Sequence, residues 1–237
     1  MQVIPAIDLK DGCCVRLYQG DFGKVTVFSD RPTDVARRWE YEGALSLHVV
    51  DLDGAFAGEP RNLAAIAEIL RAVQIPVQVG GGIRTLAAAE QLLDLGVARI
   101  VLGTAAVEDR SLLATLARRW CGKVAVSIDA LNGEVMTRGW QHPSSQRARD
   151  LALDVVLAGA ATIVYTDIER DGTLTEPNYT ATADIVAAVP VPVIASGGVS
   201  QVDHLLRLQA VGVSGAIVGR ALYTGALKLS DALALAD

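Results

Sequence analysis

Short apolar runs alternate with longer amphipathic ones along the whole chain. VIPAI (3–7), LSLHVV (45–50), VQV (77–79), RIVL (99–102), VAVSI (124–128), TIVYT (162–166), VPVIA (191–195) and GAIVG (215–219) are rich in β-branched residues and flanked by Gly, Asp or Pro. Their apolar residues are continuous, not alternating with polar ones. Strands buried on both faces of a parallel sheet read this way. The segments between them predict helices over 33–42, 61–73, 85–95, 107–119, 146–158, 178–189, 200–210 and near 228–236. Asn62 with Leu63, Thr85, Asp109 and Ser200 stand where helices start. Gly43, Gly96, Gly159 and Gly212 stand just after four helices, where a left-handed residue closes the last turn. Eight strand–helix units predict an α/β fold, a closed (β/α)8 TIM barrel, with an open doubly wound sheet as the alternative. Two short hairpins are expected, CCVRLYQG (13–20) and EVMTRGW (134–140).

The chain also repeats itself. Residues 75–105 (IPVQVGGGIRTL…LGVARIVLGTA) fall without a gap on 191–221 (VPVIASGGVSQV…VGVSGAIVGRA), an offset of 116 residues. Gly81, Gly82, Gly96 and Gly103 thereby meet Gly197, Gly198, Gly212 and Gly219. Residues 49–62 fall on 165–179, and AIDLKDG (6–12) on SIDALNG (127–133), which sets Asp8 opposite Asp129. A repeat this long is no solenoid unit. It predicts one domain over 1–237 made of two half-barrels, about 1–120 and 121–237, with no linker between them.

Composition narrows the function. Of 237 residues, 51% are hydrophobic and 20% charged, a globular balance. The net charge is −6 and no basic run occurs, so no nucleic-acid partner is expected, and an anionic ligand must be held by local groups. No long apolar run predicts a membrane span, and Asp8 interrupts the first apolar stretch, unlike a signal peptide. A soluble, cytoplasmic, monomeric protein is expected. Three cysteines make no disulfide framework, and three histidines show no zinc spacing. No cofactor and no metal is called for.

In such barrels the chemistry sits at the C-terminal ends of the strands. Asp8 ends the first strand and Asp129 the fifth, which face each other across an eight-stranded ring. Two carboxylates on opposite walls suit a general acid and a general base, although DLKDG and DALNG are also turn-forming. The loops after strands 3 and 4 (Gly81, Gly82, Gly103, Thr104) and after strands 7 and 8 (Ser196, Gly197, Gly198, Gly219, Arg220) form two glycine-rich corners. Glycine lets backbone N–H groups approach an anion, and the strand 7–8 corner is the usual barrel phosphate site. Tight turns alone also explain a lone glycine pair. The implied ligand is long, anionic at both ends and reactive in the middle: a small-molecule bisphosphate. Arg16 and Arg138 are candidates to orient its polar groups, and Trp140 offers either a stacking face or a rim cover. Thr166, Asp171 and Gly172 lie at the end of strand 6 and in the loop after it. His48 reads as a buried core residue, His142 and His204 as surface residues, and Cys13 and Cys14 as packed and unreactive.

These motifs, from VIPAIDLKDG through VRLYQGD (15–21), HVVDLDGA (48–55), VGGGIR (79–84), VLGTAA (101–106), TRGWQ (137–141), YTDIERDGT (165–173), ASGGVS (195–200) and VGRALY (218–223), span the chain. The sequence resembles the histidine-biosynthesis isomerases that act on phosphoribosylformimino-aminoimidazole carboxamide ribotide. The resemblance implies an Amadori rearrangement of an aminoaldose to an aminoketose, with Asp8 as general base and Asp129 as general acid. Cys13-Cys14 departs from the small or aliphatic residues expected before VRL. The alternatives are a two-substrate isomerase that also rearranges phosphoribosylanthranilate, the cyclase subunit of imidazole glycerol phosphate synthase, and a non-catalytic phosphate-sugar binding protein on a degenerate barrel.

Overall fold

The computed structural model describes residues 1–234, the side chain of Phe22 excepted. Twelve strands run in chain order: β1 Gln2–Lys10, β2 Cys13–Tyr18, β3 Asp21–Ser29, β4 Leu47–Asp51, β5 Val77–Gly80, β6 Arg99–Leu102, β7 Val124–Leu131, β8 Glu134–Thr137, β9 His142–Arg147, β10 Thr162–Asp167, β11 Val193–Ser196 and β12 Gly215–Val218. Eight of them, β1, β4, β5, β6, β7, β10, β11 and β12, pair in parallel in that order. The β12–β1 and β7–β10 ladders close the ring, giving the (β/α)8 barrel.

The continuous apolar runs have a direct cause in this closure. Ile4, Ala6, Val101, Ala125, Val164, Ile194 and Ile217 point inward and fill the barrel. The alternate residues point outward into a second layer, where Ile7, Leu47, Val79, Ile100, Val126, Ile163 and Val218 meet the helices through Trp39, Ile69, Leu92, Leu116 and Leu151. The outward face is apolar throughout and the middle of the inward face is apolar too, so the strands show apolar runs rather than a strict polar alternation.

The eight expected helical segments are observed among the described residues at Pro32–Tyr41, Leu63–Ala72, Leu86–Asp94, Arg110–Arg119, Ala148–Leu157, Tyr179–Ala188, Val202–Val211 and, as a single short turn of helix, Leu229–Leu233. The last was expected near 228–236, of which 235 and 236 lie outside the described residues. The expected 107–119 helix is broken at Asp109, whose carboxylate accepts from Leu112 N at 3.0 Å and starts a new helix. Thr85 caps as expected, accepting from Ala88 N at 3.2 Å. Ser200 does not: Gln201 holds the cap position, and the Ser200 hydroxyl donates to the Leu174 carbonyl. His204 is buried, not a surface residue, and its Nδ1 accepts from Ser200 N. Gly43, Gly96, Gly159 and Gly212 all adopt positive φ at helix ends.

Three short helices were not predicted: Leu52–Ala57, Thr104–Glu108 and Arg220–Thr224. Nor were β3 and β9. They are the return strands of the two hairpins that extend β1 and β7 beyond the ring, β1–β2–β3 and β7–β8–β9. These hairpins and the loops after β5, β6, β10, β11 and β12 rise over the same end of the barrel.

Candidate active site

A cleft opens at the C-terminal end of the ring. Every residue singled out from the sequence lines it: Asp8, Arg16, Gly81, Gly82, Gly103, Thr104, Asp129, Arg138, Trp140, Thr166, Asp171, Gly172, Ser196, Gly197, Gly198, Gly219 and Arg220. Asp8 comes from β1 and Asp129 from β7, four strands apart in the ring of eight, hence on opposite walls. Inward orientation follows from the period of two: Ala6 and Asp8 share one face of β1, as Ala125, Ser127 and Asp129 share one face of β7.

The two carboxylates have different partners. Arg16 Nη1 donates to Asp8 Oδ2 at 2.7 Å, and Arg16 Nη2 donates to the Ala6 carbonyl. Both side chains of this pair are largely withdrawn from solvent. Burial raises the Asp8 pKa above its ordinary value, while the Arg16 guanidinium pulls the other way. Asp129 instead accepts two neutral donors. The Ser127 hydroxyl reaches Oδ1 at 2.6 Å and the Trp140 indole N–H reaches Oδ2 at 2.8 Å. Trp140 also packs against Gly20, where a side chain would collide with the indole, so hairpin β1–β2–β3 meets the β8–β9 turn above the cleft.

Asp171 is the third carboxyl. Burial, and then the negative charges of Asp8 and Asp129, push it up to about 6, with Arg16 opposing. Its loop is clamped from two sides. Arg220 donates to the Gly172 carbonyl, and Gln19 Nε2 donates to the Glu169 carbonyl at 3.1 Å. Gly172, at φ +69, packs against the Leu17 carbonyl, 3.0 Å from where a Cβ would stand.

The glycine pairs are locked by their neighbours. Gly82 and Gly198 have φ of +74 and +81, and a Cβ would stand 2.6 Å from the Glu59 carbonyl carbon and 2.5 Å from the Glu176 carbonyl oxygen. Gly81 and Gly197 likewise face the backbones of Asp51 and Asp167. The 116-residue repeat is thus kept in packing detail, and close backbone approach requires glycine here with or without an anion. Gly103 and Gly219 precede the short helices Thr104–Glu108 and Arg220–Thr224. Thr166 stands beside Asp129 in the β10–β7 register and beside Ser196 in the β10–β11 register.

Arg138 lines the cleft mouth. Its guanidinium is exposed and paired with Glu108 at 3.0 Å, and its backbone N–H donates to the Thr104 hydroxyl at 2.8 Å. The β8–β9 turn therefore rests on the first glycine corner. Sequence reasoning also missed three polar cleft residues. Ser127 sits two positions before Asp129 on the same strand face, a signal that was available. Arg84 closes VGGGIR and donates to the Ala55 carbonyl at 3.1 Å. His48 is buried as expected, and it lines the cleft as well, its Nδ1 2.8 Å from Gln78 Nε2. Burial, then Arg16 and Arg99, lower its pKa to about 3, so the imidazole is neutral.

Fold and site define a two-fold repeated (β/α)8 barrel with three carboxyls and two glycine corners around one mouth. The chain belongs to the histidine biosynthesis protein family, whose sequence profile matches residues 2–228. It is 56% identical over 236 residues to a protein of Gloeothece citriformis, covering 98% of this chain and 92% of that protein. A Roseiflexus castenholzii protein is 53% identical over 234 residues, 99% of each chain, and a Chloroflexus aurantiacus protein 51% identical, covering 100% of this chain and 98% of that one. All three are named 1-(5-phosphoribosyl)-5-((5-phosphoribosylamino)methylideneamino) imidazole-4-carboxamide isomerase.

Proposed function

We propose that this chain is an aldose–ketose isomerase converting the phosphoribosylformimino-aminoimidazole carboxamide ribotide aminoaldose to its phosphoribulosyl aminoketose. The observation that carries the reading is the pair Asp8 and Asp129 on opposite walls of one mouth, flanked by the repeated glycine corners, in a chain whose relatives bear that name. An acid protonates the ribose ring oxygen, the ring C–O bond breaks, and the amine lone pair forms the Schiff base. Asp8 then removes the C2 proton to give the enolamine. Return of that proton to C1, with loss of the C2 hydroxyl proton to the carboxylate that served as the acid, yields the ketose, so protons balance and no electron leaves the substrate. The two corners hold the two phosphates, Gly81, Gly82, Gly103 and Thr104 one end, Ser196, Gly197, Gly198, Gly219 and Arg220 the other. Arg16, Arg138, Trp140, Thr166, Asp171 and Gly172 shape the space between.

The acid is assigned to Asp129. One observation favours a second reading, with Asp171 in that role: Asp171 is the carboxyl that burial holds protonated to about pH 6, whereas both Asp129 oxygens accept hydrogen bonds from Ser127 and Trp140. The pH profile of kcat separates the two. Asn at the acid position abolishes the alkaline limb, and Asn at the other position leaves that limb in place.

The domain is read as one unit of two half-barrels, about 1–120 and 121–237. The enzyme is read as a cytoplasmic monomer that binds neither membrane nor nucleic acid, in line with its net charge of −6. Purified protein is expected to turn over the aminoimidazole bisphosphate, followed by absorbance, and to rescue a histidine-isomerase auxotroph but not a tryptophan-isomerase one. A crystal soaked in phosphate should hold one anion near Gly82 and Thr104 and one near Gly198 and Arg220. Absence of turnover with folded protein removes the reading.

A further inference from the structure

The internal repeat makes Asp8 and Asp129 equivalent in backbone, yet only Asp8 carries an arginine. The cause lies in the second half-barrel. Arg16 sits in a socket at the end of β12. Its guanidinium carbon is 5.0 Å from the centre of the Tyr223 ring. The Tyr223 hydroxyl donates to the Ala6 carbonyl at 2.9 Å, the same oxygen that accepts from Arg16 Nη2. The Cys14 sulfur lies 3.1 Å from that hydroxyl. Tyr223 is itself fixed, edge-on to Trp39 at 5.5 Å and tilted against Phe28 at 4.9 Å. Gly219 supplies the remaining space: a Cβ there would stand 2.8 Å from Arg16 Cζ.

The symmetry mates of these residues build no such socket. At the same offset Gly219 meets Gly103 and Tyr223 meets Val107. A Cβ on Gly103 meets nothing within 4 Å, although the two glycines share one backbone conformation, φ −106 and ψ −98 against φ −107 and ψ −105. Arg138, in the hairpin matching that of Arg16, pairs with Glu108 instead.

We propose that Tyr223, together with the open face of Gly219, is the positioning device that seats Arg16 on Asp8 and so makes the two symmetry-related carboxylates unequal. Tyr223 touches neither Asp8 nor the space between the corners; it acts through Arg16. A cation over an aromatic face keeps its position without a hydrogen bond, leaving the guanidinium N–H groups for Asp8 and the Ala6 carbonyl. The inference rests on the reading of Asp8 as the base, but its first test does not need substrate. The charged and titratable groups around this pair are Arg16 and Cys14 from β2, His48 from β4, Asp171 from the loop after β10, Asp129 across the mouth and Tyr223 itself.

The experiment is the titration of the Asp8 carboxyl carbon by NMR in the full chain, with Tyr223→Met, Tyr223→Phe, Gly219→Ala and Gly103→Ala beside the wild type. Loss of a seated arginine raises a neighbouring aspartate by ~1 unit or more. That rise is expected in Tyr223→Met and in Gly219→Ala. Tyr223→Phe keeps the ring and restores most of the wild-type value, and Gly103→Ala leaves Asp8 where it was. In turnover, the acidic limb of kcat/KM moves up with the Asp8 titration in the two disruptive variants. An Asp8 titration unmoved in either folded disruptive variant overturns the proposal. If Tyr223→Met does not fold, Gly219→Ala decides alone. If the wild type has no isomerase activity, the functional reading fails while the NMR result still judges the socket.

Discussion

Asp171 lines the cleft with Asp8 and Asp129, and its carboxyl is raised from 3.8 to about 6. The folded chain therefore binds a proton there that the unfolded chain releases at lower pH. With more protons on the native state, stability falls as pH rises between those two values, and the penalty is complete above about pH 6. Asp171→Asn removes it. The variant should unfold with ~2–3 kcal/mol more stability near pH 7.5 and no gain near pH 4, read from thermal or denaturant melts. An equal gain at both pH values would show that the effect is not ionisation. Asp8→Asn is expected to lose at least ~100-fold in kcat with its fold intact, and Asp129→Asn the same if it is the acid. Asp8 and Asp129 were legible in the sequence because they end apolar strands at repeat-related positions. Ser127 was legible on the same ground, two positions before Asp129 on one strand face, whereas His48 and Arg84 were not. His48 lies inside an apolar run, where nothing local distinguishes a residue that fills the barrel from one at the cleft floor. The side-chain direction of Arg138 was equally beyond the sequence, since Glu108 lies 30 residues away in the chain.

The glycine turns show how an element is fixed by another element rather than by itself. Gly82 has positive φ and also abuts the Glu59–Pro60 backbone, while Gly96, at φ +100, has open space around it. Gly96→Ala bears only the left-handed backbone penalty, ~1–2 kcal/mol. Gly82→Ala adds overlap with a neighbouring loop and should cost ~2–4 kcal/mol in all. Chemical denaturation of the two variants checks the ranking, and equal losses would mean that the contact to Glu59 carries no weight. The loop that abuts Gly82 is held by Asp51, fully buried, whose carboxylate accepts from Gly54 N, Arg61 N, Asn62 N and Asn62 Nδ2 at 2.6–2.9 Å. The mate of that pair, Asn178 Nδ2 on Asp167 at 2.7 Å, recurs in the second half. The ring strands and long helices were readable because their apolar faces are set by burial on two sides. The strands β3 and β9 were not, because DFGKVTVFS and HPSSQR earn their pairing from a neighbouring strand and little from burial. The short helix Leu52–Ala57 was hidden for a like reason: its cap is Asp51, itself the last residue of β4.

At the scale of the molecule, the β12–β1 ladder joins the two ends of the chain and the β6–β7 ladder joins the two proposed halves. Cutting the chain between the proposed halves leaves both ladders to be made between fragments. Fragments 1–120 and 121–237 should each self-associate alone and should combine into one species of barrel size when coexpressed, as sedimentation can read. Monomeric, fully soluble single halves would contradict the dependence of each half on its complement. The ring was legible from the count of strand–helix units, and its closure is the physical reason the count is eight. Closure has a further consequence, for how the protein behaves in a crowded solution. Within the ring every strand has two partners, so no backbone donors or acceptors there are left to recruit another chain. Among the described strands, β3 and β9 alone have a single neighbour. β9 carries Pro143 and no large apolar side chain, and on β3 Lys24 stands near the exposed Val27; the proline and the charge oppose growth by strand addition. The hazard of aggregation thus belongs to the opened barrel, and the rate at which the ring opens sets how long the protein stays dispersed.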